Sequence, residues 1–332
     1  YQYALVSRAD TKNASVMGYK SIQHHIHRNG YHSASRVSTE VQRRSIGRPM
    51  IAIKGMGGLG DSIYQRAFIK SLVKSTPVLL ETPWPEIYQD LQNIQFIKPN
   101  TRLRTQKKSA DRVDESVWAG RYYGNSIQIS YGDKGIMRGM RERFKVDSSS
   151  FDLPDFDSPV QGKYAVVRPA TVRTEWSAAS RNPKPEYIAE CAEKLLAEGY
   201  TVISVADLED DVEWALEPLP RATMQFHKGE LNIKELLGLI QHASVVVGGI
   251  GWMTPASIAY KVPSWIIFGG FGAFNAPENL FDKDRMDLSK IGYALPDQFC
   301  RCRDGKHNCK KDISNHAEKF AEWLGRLPNL ES

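Results

Sequence analysis

The chain has 332 residues, 41% apolar and 25% charged side chains, and a net charge of +6, more than one ordinary hydrophobic core accommodates, so two globular domains are expected. No apolar run reaches the ~18 residues that cross a bilayer, and the first residues carry no apolar signal core. No membrane-spanning helix is expected; peripheral contact with a membrane surface stays open.

The first segment is unusual in charge. Residues 1–50 hold eight Lys or Arg and two acids, the whole net charge of the chain, together with four of its eight histidines, three of them in "HHIH". Residues 1–48 read as a basic extension. It is either a solvated leader or an arm for an anionic partner such as nucleic acid, a phosphorylated glycan or a membrane surface. The chain begins at Tyr1 rather than Met, as a processed or trimmed chain would.

From residue 49 the pattern alternates short apolar runs with amphipathic stretches. "PMIAIK" (49–54) reads as a buried strand, "SIYQRAFIKSLVKS" (62–75) as a helix, "PVLLET" (77–82) as a strand and "EIYQDL" as a short helix. "IQFIK" (94–98) and "SIQISY" (126–131) complete the first unit, with "RLRTQKKSADRVDE" between them as an exposed charged loop. Residues 147–162, rich in Ser, Asp and Pro, suit a linker, placed at 151–162. A second unit follows: strand 163–169, helix 184–199 with Pro in its first turn and Gly at its end, strand 200–206, helix 232–243, strand 244–249, helix 253–261 and strand 262–270. Near-continuous apolar strands alternating with helices imply parallel sheets covered on both faces. The expected fold class is α/β, with two Rossmann-like parallel-sheet domains, 49–150 and 163–313, facing a cleft, and a C-terminal helix in 314–332 able to pack on either.

Two glycine-rich turns carry the chemistry. "KGMGGLGD" (54–61) follows the first strand and opens the first helix, and it lacks the Gly-Lys-Ser/Thr of a phosphate-binding loop. It ends instead in Asp61, which the helix dipole keeps ionised. Aimed into a cleft, Asp61 is placed to accept a proton from a hydroxyl; the plain alternative is a helix cap. Gly57, Gly58 and Gly60 would bring backbone close to the acceptor. The second turn, "GGIGWMTPA" (248–256), again joins a strand to a helix start and suits a donor phosphate. Gly249, Gly251, Trp252, Met253 and Thr254 are its candidate contacts. Arg168, Arg173, Arg181 and Lys184, after the strand at 163–169, are candidate phosphate-facing bases.

These stretches resemble glycosyltransferase family nine, the heptosyltransferase family. Its opening signature Arg-x-Gly-x-x-Gly-Asp is matched at Gly57, Gly60 and Asp61, with Gly55 in the region of the arginine. Its second signature, Asp-Thr/Ser-Gly-Pro-Met-His-x-Ala, is echoed by Gly251, Met253 and Ala256, while Gly249 and Thr254 stand where the family has Asp and His and Trp252 where it has Pro. "KVPSWIIFGG" is similar to the apolar strand ending in Phe-Gly that follows. The resemblance covers residues 49–325 and implies a GT-B fold, a UDP- or ADP-sugar co-substrate, Asp61 as general base, direct displacement with inversion and no required metal. The implied acceptor is a hydroxyl of a saccharide or glycolipid. Two alternatives stand beside it: a DNA glycosyltransferase acting on a hydroxylated base, which the basic arm favours, and a GT-B binding module that has lost catalysis, which Gly249 and Thr254 favour.

Four cysteines, Cys191 alone and Cys300, Cys302 and Cys309 clustered, make no disulfide framework, so a reducing, cytoplasmic setting is expected. A Cys-containing tail also recurs in the family. Three thiols with His307 offer a tetrahedral zinc set, but Cys-x-Cys is tighter than the usual knuckle, and the expectation is that no metal is bound.

Overall fold

The computed structural model describes residues 50–176 and 179–327; the basic extension 1–48 lies outside them. Two parallel sheets organise the chain. In the first, β1 (Ile51–Lys54), β2 (Val78–Glu81), β3 (Ile94–Ile97) and β4 (Ile127–Gln128) stand in the order β3-β2-β1-β4. The apolar run 49–54 pairs with β2 from Ile51↔Val78 to Lys54↔Glu81. Its helix α1 (Leu59–Leu72) starts three residues before the expected position, and Leu59, Ile63, Ala67, Phe68 and Leu72 are buried.

The charged stretch expected to be an exposed loop contains helix α2 (Arg104–Arg112). It buries only Ser109 and Ala110, so no apolar stripe announced it. Ion pairs hold it instead. Arg104 reaches Asp207 at 2.9 Å and Glu213 at 3.2 Å, and Lys108 reaches Asp207 at 3.0 Å. Arg112 donates to the Leu231 and Gly229 carbonyls. The i, i+4, i+8 spacing puts the three bases on one face, and that face clamps the second sheet's loops. The strand expected over 126–131 shrinks to two residues, because only Ile127 and Gln128 continue the pairing with β1.

Helix α3 (Ile136–Phe144) packs against α1, with Phe144 stacked on Phe68 at 5.3 Å. The segment read as a linker is packed. Phe151, Leu153 and Phe156 are buried, and Arg66, itself buried on α1, donates to the Asp152 carbonyl while forming a two-pronged pair with Asp90.

The second sheet runs β5 (Tyr164–Arg168), β7 (Thr201–Val205), β9 (Met224–Phe226), β10 (Val245–Gly249), β11 (Ser264–Ile267) and β12 (Ile291–Ala294), in the order β12-β11-β10-β5-β7-β9. A two-stranded ribbon, β6 (Thr171–Arg173) with β8 (Glu213–Ala215), lies beside it. From β5 onward this is the doubly wound order of a dinucleotide-binding fold, reversing direction between β5 and β10. Helices α4 (Pro185–Ala197), α5 (Ile233–Gln241) and α6 (Met253–Tyr260) connect the strands. Asn232 and Glu235 form a reciprocal capping box on α5. Helix α7 (His316–Gly325) packs on this sheet: Phe320 and Trp323 sit 5.7 and 5.4 Å from Trp265, ring to ring. None of the described helices is long and apolar enough to cross a membrane.

Candidate functional site

Ligands of open α/β sheets bind at the carboxyl ends of the strands, where strand order reverses. In the first sheet that point lies between β1 and β4, in the second between β5 and β10. The loops leaving all four strands enclose one cavity of about 750 Å³. Met56 to Asp61, Tyr64 and Tyr131 form one wall; Arg168, Arg173, Trp176, Arg181, Gly251, Trp252 and Thr254 form the other.

The first turn is tied down on all sides. The Met56 amide donates to Gln65 Oε1 at 3.0 Å, Ser62 Oγ to the Met56 carbonyl at 2.9 Å, and Trp84 Nε1 to the Gly57 carbonyl at 2.8 Å. Gly58 is the N-cap of α1, without a side-chain cap, so Asp61 is not the capping residue. A Cβ on Gly58 would lie 2.6 Å from Asp61 Oδ2: the missing side chain is the space the carboxylate fills. A Cβ on Gly60 would lie 3.2 Å from Trp252 Cα, so this glycine lets the two walls meet backbone to backbone. Tyr64 adds a bond across them, donating to the Leu280 carbonyl at 3.2 Å.

Burial pushes the Asp61 carboxyl from 3.8 up to about 6, with the charge of Arg181 pulling the other way. Burial and the Asp61 charge raise Tyr131 to about 12. Across the cavity the sign inverts. Burial, Arg168 and Arg173 together bring the Arg181 guanidinium down to about 10. Arg181 lies 4.7 Å over the Trp176 ring and Arg173 lies 5.9 Å from it. Buried Glu213 takes a hydrogen bond from Thr171 Oγ1 at 2.9 Å and has Arg168 and Arg173 at 3.9 Å. Two polar atoms of this wall are buried without a partner, Arg181 Nε and Thr254 Oγ1. A wall of three guanidiniums with unfilled donors is suited to a multiply charged anion.

Most of the residues singled out in the sequence meet here: Gly57, Gly58, Gly60, Asp61, Arg168, Arg173, Arg181, Gly251, Trp252 and Thr254 line the cavity. Lys184, Gly249 and Met253 do not. Lys184 precedes α4 and pairs with Asp312. Gly249 ends β10 against Pro183, whose Cδ lies 2.8 Å from where a Cβ would be. Met253 is core, 2% exposed. Tyr131, Trp176, Glu213 and the bases of α2 were missed. Only α2 left a readable signal, its four-residue spacing of positive charge.

Away from the cavity, Cys300, Cys302, His307 and Cys309 converge, with their ligand atoms all within 4.8 Å of one another. The Cys302 and Cys309 sulfurs are 3.5 Å apart, and His307 Nδ1 lies 3.3 Å from Cys309 Sγ and 3.5 Å from Cys300 Sγ.

No protein-family model and no curated protein matches the chain. Solved structures do. The iron-containing dodecameric glycosyltransferase TibC of enterotoxigenic E. coli aligns at TM-score 0.54 and 17% identity, over 84% of this chain and 74% of that one. TibC as a heptosyltransferase complex with ADP-D-beta-D-heptose aligns at TM-score 0.53. E. coli heptosyltransferase WaaC with ADP aligns at TM-score 0.47 and 12% identity, over 83% of this chain and 99% of that one. The likeness to TibC shows the fold alone: two parallel-sheet halves in a GT-B arrangement.

Proposed function

We propose that the protein is a nucleotide-sugar-dependent inverting glycosyltransferase. The observation that carries this reading is the pairing of Asp61, a carboxylate with basicity lifted toward neutrality, with the Arg168–Arg173–Arg181 wall across a single cavity. A base titrating near 6 is ionised at neutral pH yet basic enough to take a proton in a transition state. The acceptor hydroxyl gives its proton to Asp61 as its oxygen bonds to the anomeric carbon. The bond from that carbon to the diphosphate breaks on the opposite face, inverting the centre. The departing nucleoside diphosphate carries the electron pair into the arginine wall, where the Thr254 hydroxyl and the N-terminal amides of α6 add donors. The opposed charges also account for a glycine turn ending in an acid: it serves the acceptor, and phosphate belongs to the other wall.

TibC is described with ADP-D-beta-D-heptose, so ADP-sugars are the first donors to try and UDP-sugars the second. A saccharide or glycolipid hydroxyl is the proposed acceptor. DNA carrying a hydroxylated base is the alternative that the basic segment 1–48 would serve, and salt-dependent DNA binding lost on its deletion tests it.

The cysteine cluster fits a thiophilic divalent metal. Tetrahedral bonds of about 2.3 Å set sulfur ligands about 3.8 Å apart; the Cys302 and Cys309 sulfurs are 3.5 Å apart, and all four ligand atoms lie within 4.8 Å of one another. TibC is described as iron-containing. We therefore replace the expectation of no metal with a structural zinc or iron held by Cys300, Cys302, His307 and Cys309; when bound it cross-links the loop and takes no part in transfer.

Thermal stability against ADP, UDP, GDP and CMP and their sugars tests the donor reading. Ligand at 100 times its dissociation constant adds about 2.7 kcal/mol. A shift with one diphosphate, followed by sugar transfer that Asp61→Asn abolishes, supports the reading. No shift with any leaves the non-catalytic binding module.

A further inference from the structure

The cysteine cluster and the arginine wall are distant in sequence, yet one short segment joins them. We propose that the metal loop is the clasp that holds Arg181 in the cavity wall, so that metal occupancy sets affinity for the donor diphosphate. The inference rests on the glycosyltransferase reading for its ligand, although the clasp itself does not.

Arg181 ends a helical turn, Ala179–Arg181. That turn has few contacts of its own kind, and the loop beneath it supplies them. The Ser180 amide donates to the Gly305 carbonyl at 3.0 Å, Ser180 Oγ to the Asp304 carbonyl at 3.0 Å, and Lys311 Nζ to the Ala179 carbonyl at 2.7 Å. From the other side the Gly270 amide donates to the Ser180 carbonyl at 2.6 Å. The paired glycines after β11 make this sandwich fit. A Cβ on Gly269 would lie 2.2 Å from the Asn182 carbonyl oxygen, and one on Gly270 would lie 2.2 Å from Cys309 Sγ. One glycine admits the Arg181 segment and the next admits a metal ligand.

The clasp is held by loop contacts rather than by regular structure: the Asp297 amide donates to the Asp312 carbonyl at 2.8 Å and the His307 amide to the Asp304 carbonyl at 3.2 Å. Between β12 and α7, residues 295–315 contain no helix or strand. The Gly272 and Ala273 amides donate to the Cys300 and Cys302 carbonyls at 2.9 and 3.3 Å, which anchors the start of the loop. Three thiols and an imidazole within 4.8 Å would tie Cys300 and Cys302 to His307 and Cys309 once bound to one ion, and without the ion that cross-link is lost. The carbonyls of Asp304 and Gly305, which hold Ser180, lie between the ligands Cys302 and His307. Loss of the ion thus acts directly on the backbone one residue from Arg181.

The test is hydrogen exchange on full-length protein, loaded with Zn(II) or Fe(II) alone and then stripped with a chelator, with metal content measured in each state. On stripping, the Ser180, Gly270 and Gly272 amides should lose protection while amides of β5 and β10 keep theirs, which shows that the fold survives. The Cys300→Ser/Cys302→Ser double variant should behave as the stripped protein. Stripping should also weaken ADP binding at least about tenfold, the loss of a charged hydrogen bond, and leave adenosine binding unchanged. In Arg181→Ala, stripping should cost no further affinity. Unchanged protection at Ser180 and Gly270, or a protein that takes up neither metal, overturns the proposal. Metal-dependent protection in a protein that binds no nucleoside diphosphate upholds the clasp and overturns the donor reading.

Discussion

The two walls of the cavity are built alike and do opposite things. Each is a glycine-bearing turn at a switch point between parallel strands, and each opens a helix, α1 on one side and α6 on the other. A helix N-terminus favours negative charge in both cases. On the first wall the chain supplies that charge itself with Asp61; at the start of α6 it supplies none, and beside it three arginines outnumber the one carboxylate paired with them, Glu213. The fold thus offers two equivalent anion sites, and side chains decide which one is left for a ligand.

The largest effect that sharpens this contrast is on Asp61. Asp61→Asn should lower sugar transfer by about 10²- to 10⁴-fold, the range of general base catalysis, with ADP affinity unchanged. Equal loss of both would make Asp61 a binding residue and erase the difference between the walls. Arg181→Ala comes next. Removing one charged contact should weaken ADP about 10- to 100-fold. Because Arg181 holds the Asp61 carboxyl down, the same variant should move the acid limb of the pH–rate profile upward from about 6. A limb that stays in place would uncouple the walls.

A smaller effect is read in stability. The folded-state value of Asp61 is raised from 3.8 to about 6. A raised group contributes stability that is complete below the unfolded value and is lost as pH rises through the folded one. The native protein should therefore lose up to about 3 kcal/mol relative to Asp61→Asn between pH 4 and 7, an upper bound because the carboxylate faces a wet cavity. Urea denaturation across that range measures it; a variant no more stable than the native chain at pH 7 would show that the carboxylate is not desolvated.

Much of this architecture was legible in the sequence, because burial writes itself into apolar runs. The strands at 163–169 and 244–249 stand at β5 and β10, and both turns fall where the alternation puts them. The residues that escaped were fixed by charge rather than by burial. Helix α2 has no apolar stripe to betray it, since its partners lie a hundred residues on at Asp207 and Glu213. Lys184 sits close to Arg181 in sequence but faces Asp312. Tyr131 follows a strand of two exposed residues, too short to show a period. The cysteine tail was legible as three clustered thiols with a histidine, expected to hold no metal; only the fold shows that their atoms converge and that the loop contacts the Ala179–Arg181 turn.

The least disruptive change probes the meeting of the walls. At Gly60 the first turn touches the second through backbone, a Cβ there lying 3.2 Å from Trp252 Cα. Alanine there fits if the walls part by a few tenths of an ångström. Gly60 is the second residue of α1, where alanine gains over glycine at most the roughly 1 kcal/mol of a helix interior. The helix gain and the contact cost are of similar size, so stability should change by less than about 1 kcal/mol. In the proposed reaction, rate depends on how far apart base and leaving group are held, and a misplacement of about 1 Å can cost about 10²-fold. Gly60→Ala should therefore lower kcat by roughly tenfold with the melting temperature nearly unchanged. A large fall in melting temperature would mean that the walls are one rigid block; no fall in kcat would mean that their spacing is set by the Arg104 and Lys108 clamp on Asp207 and not by the touching turns.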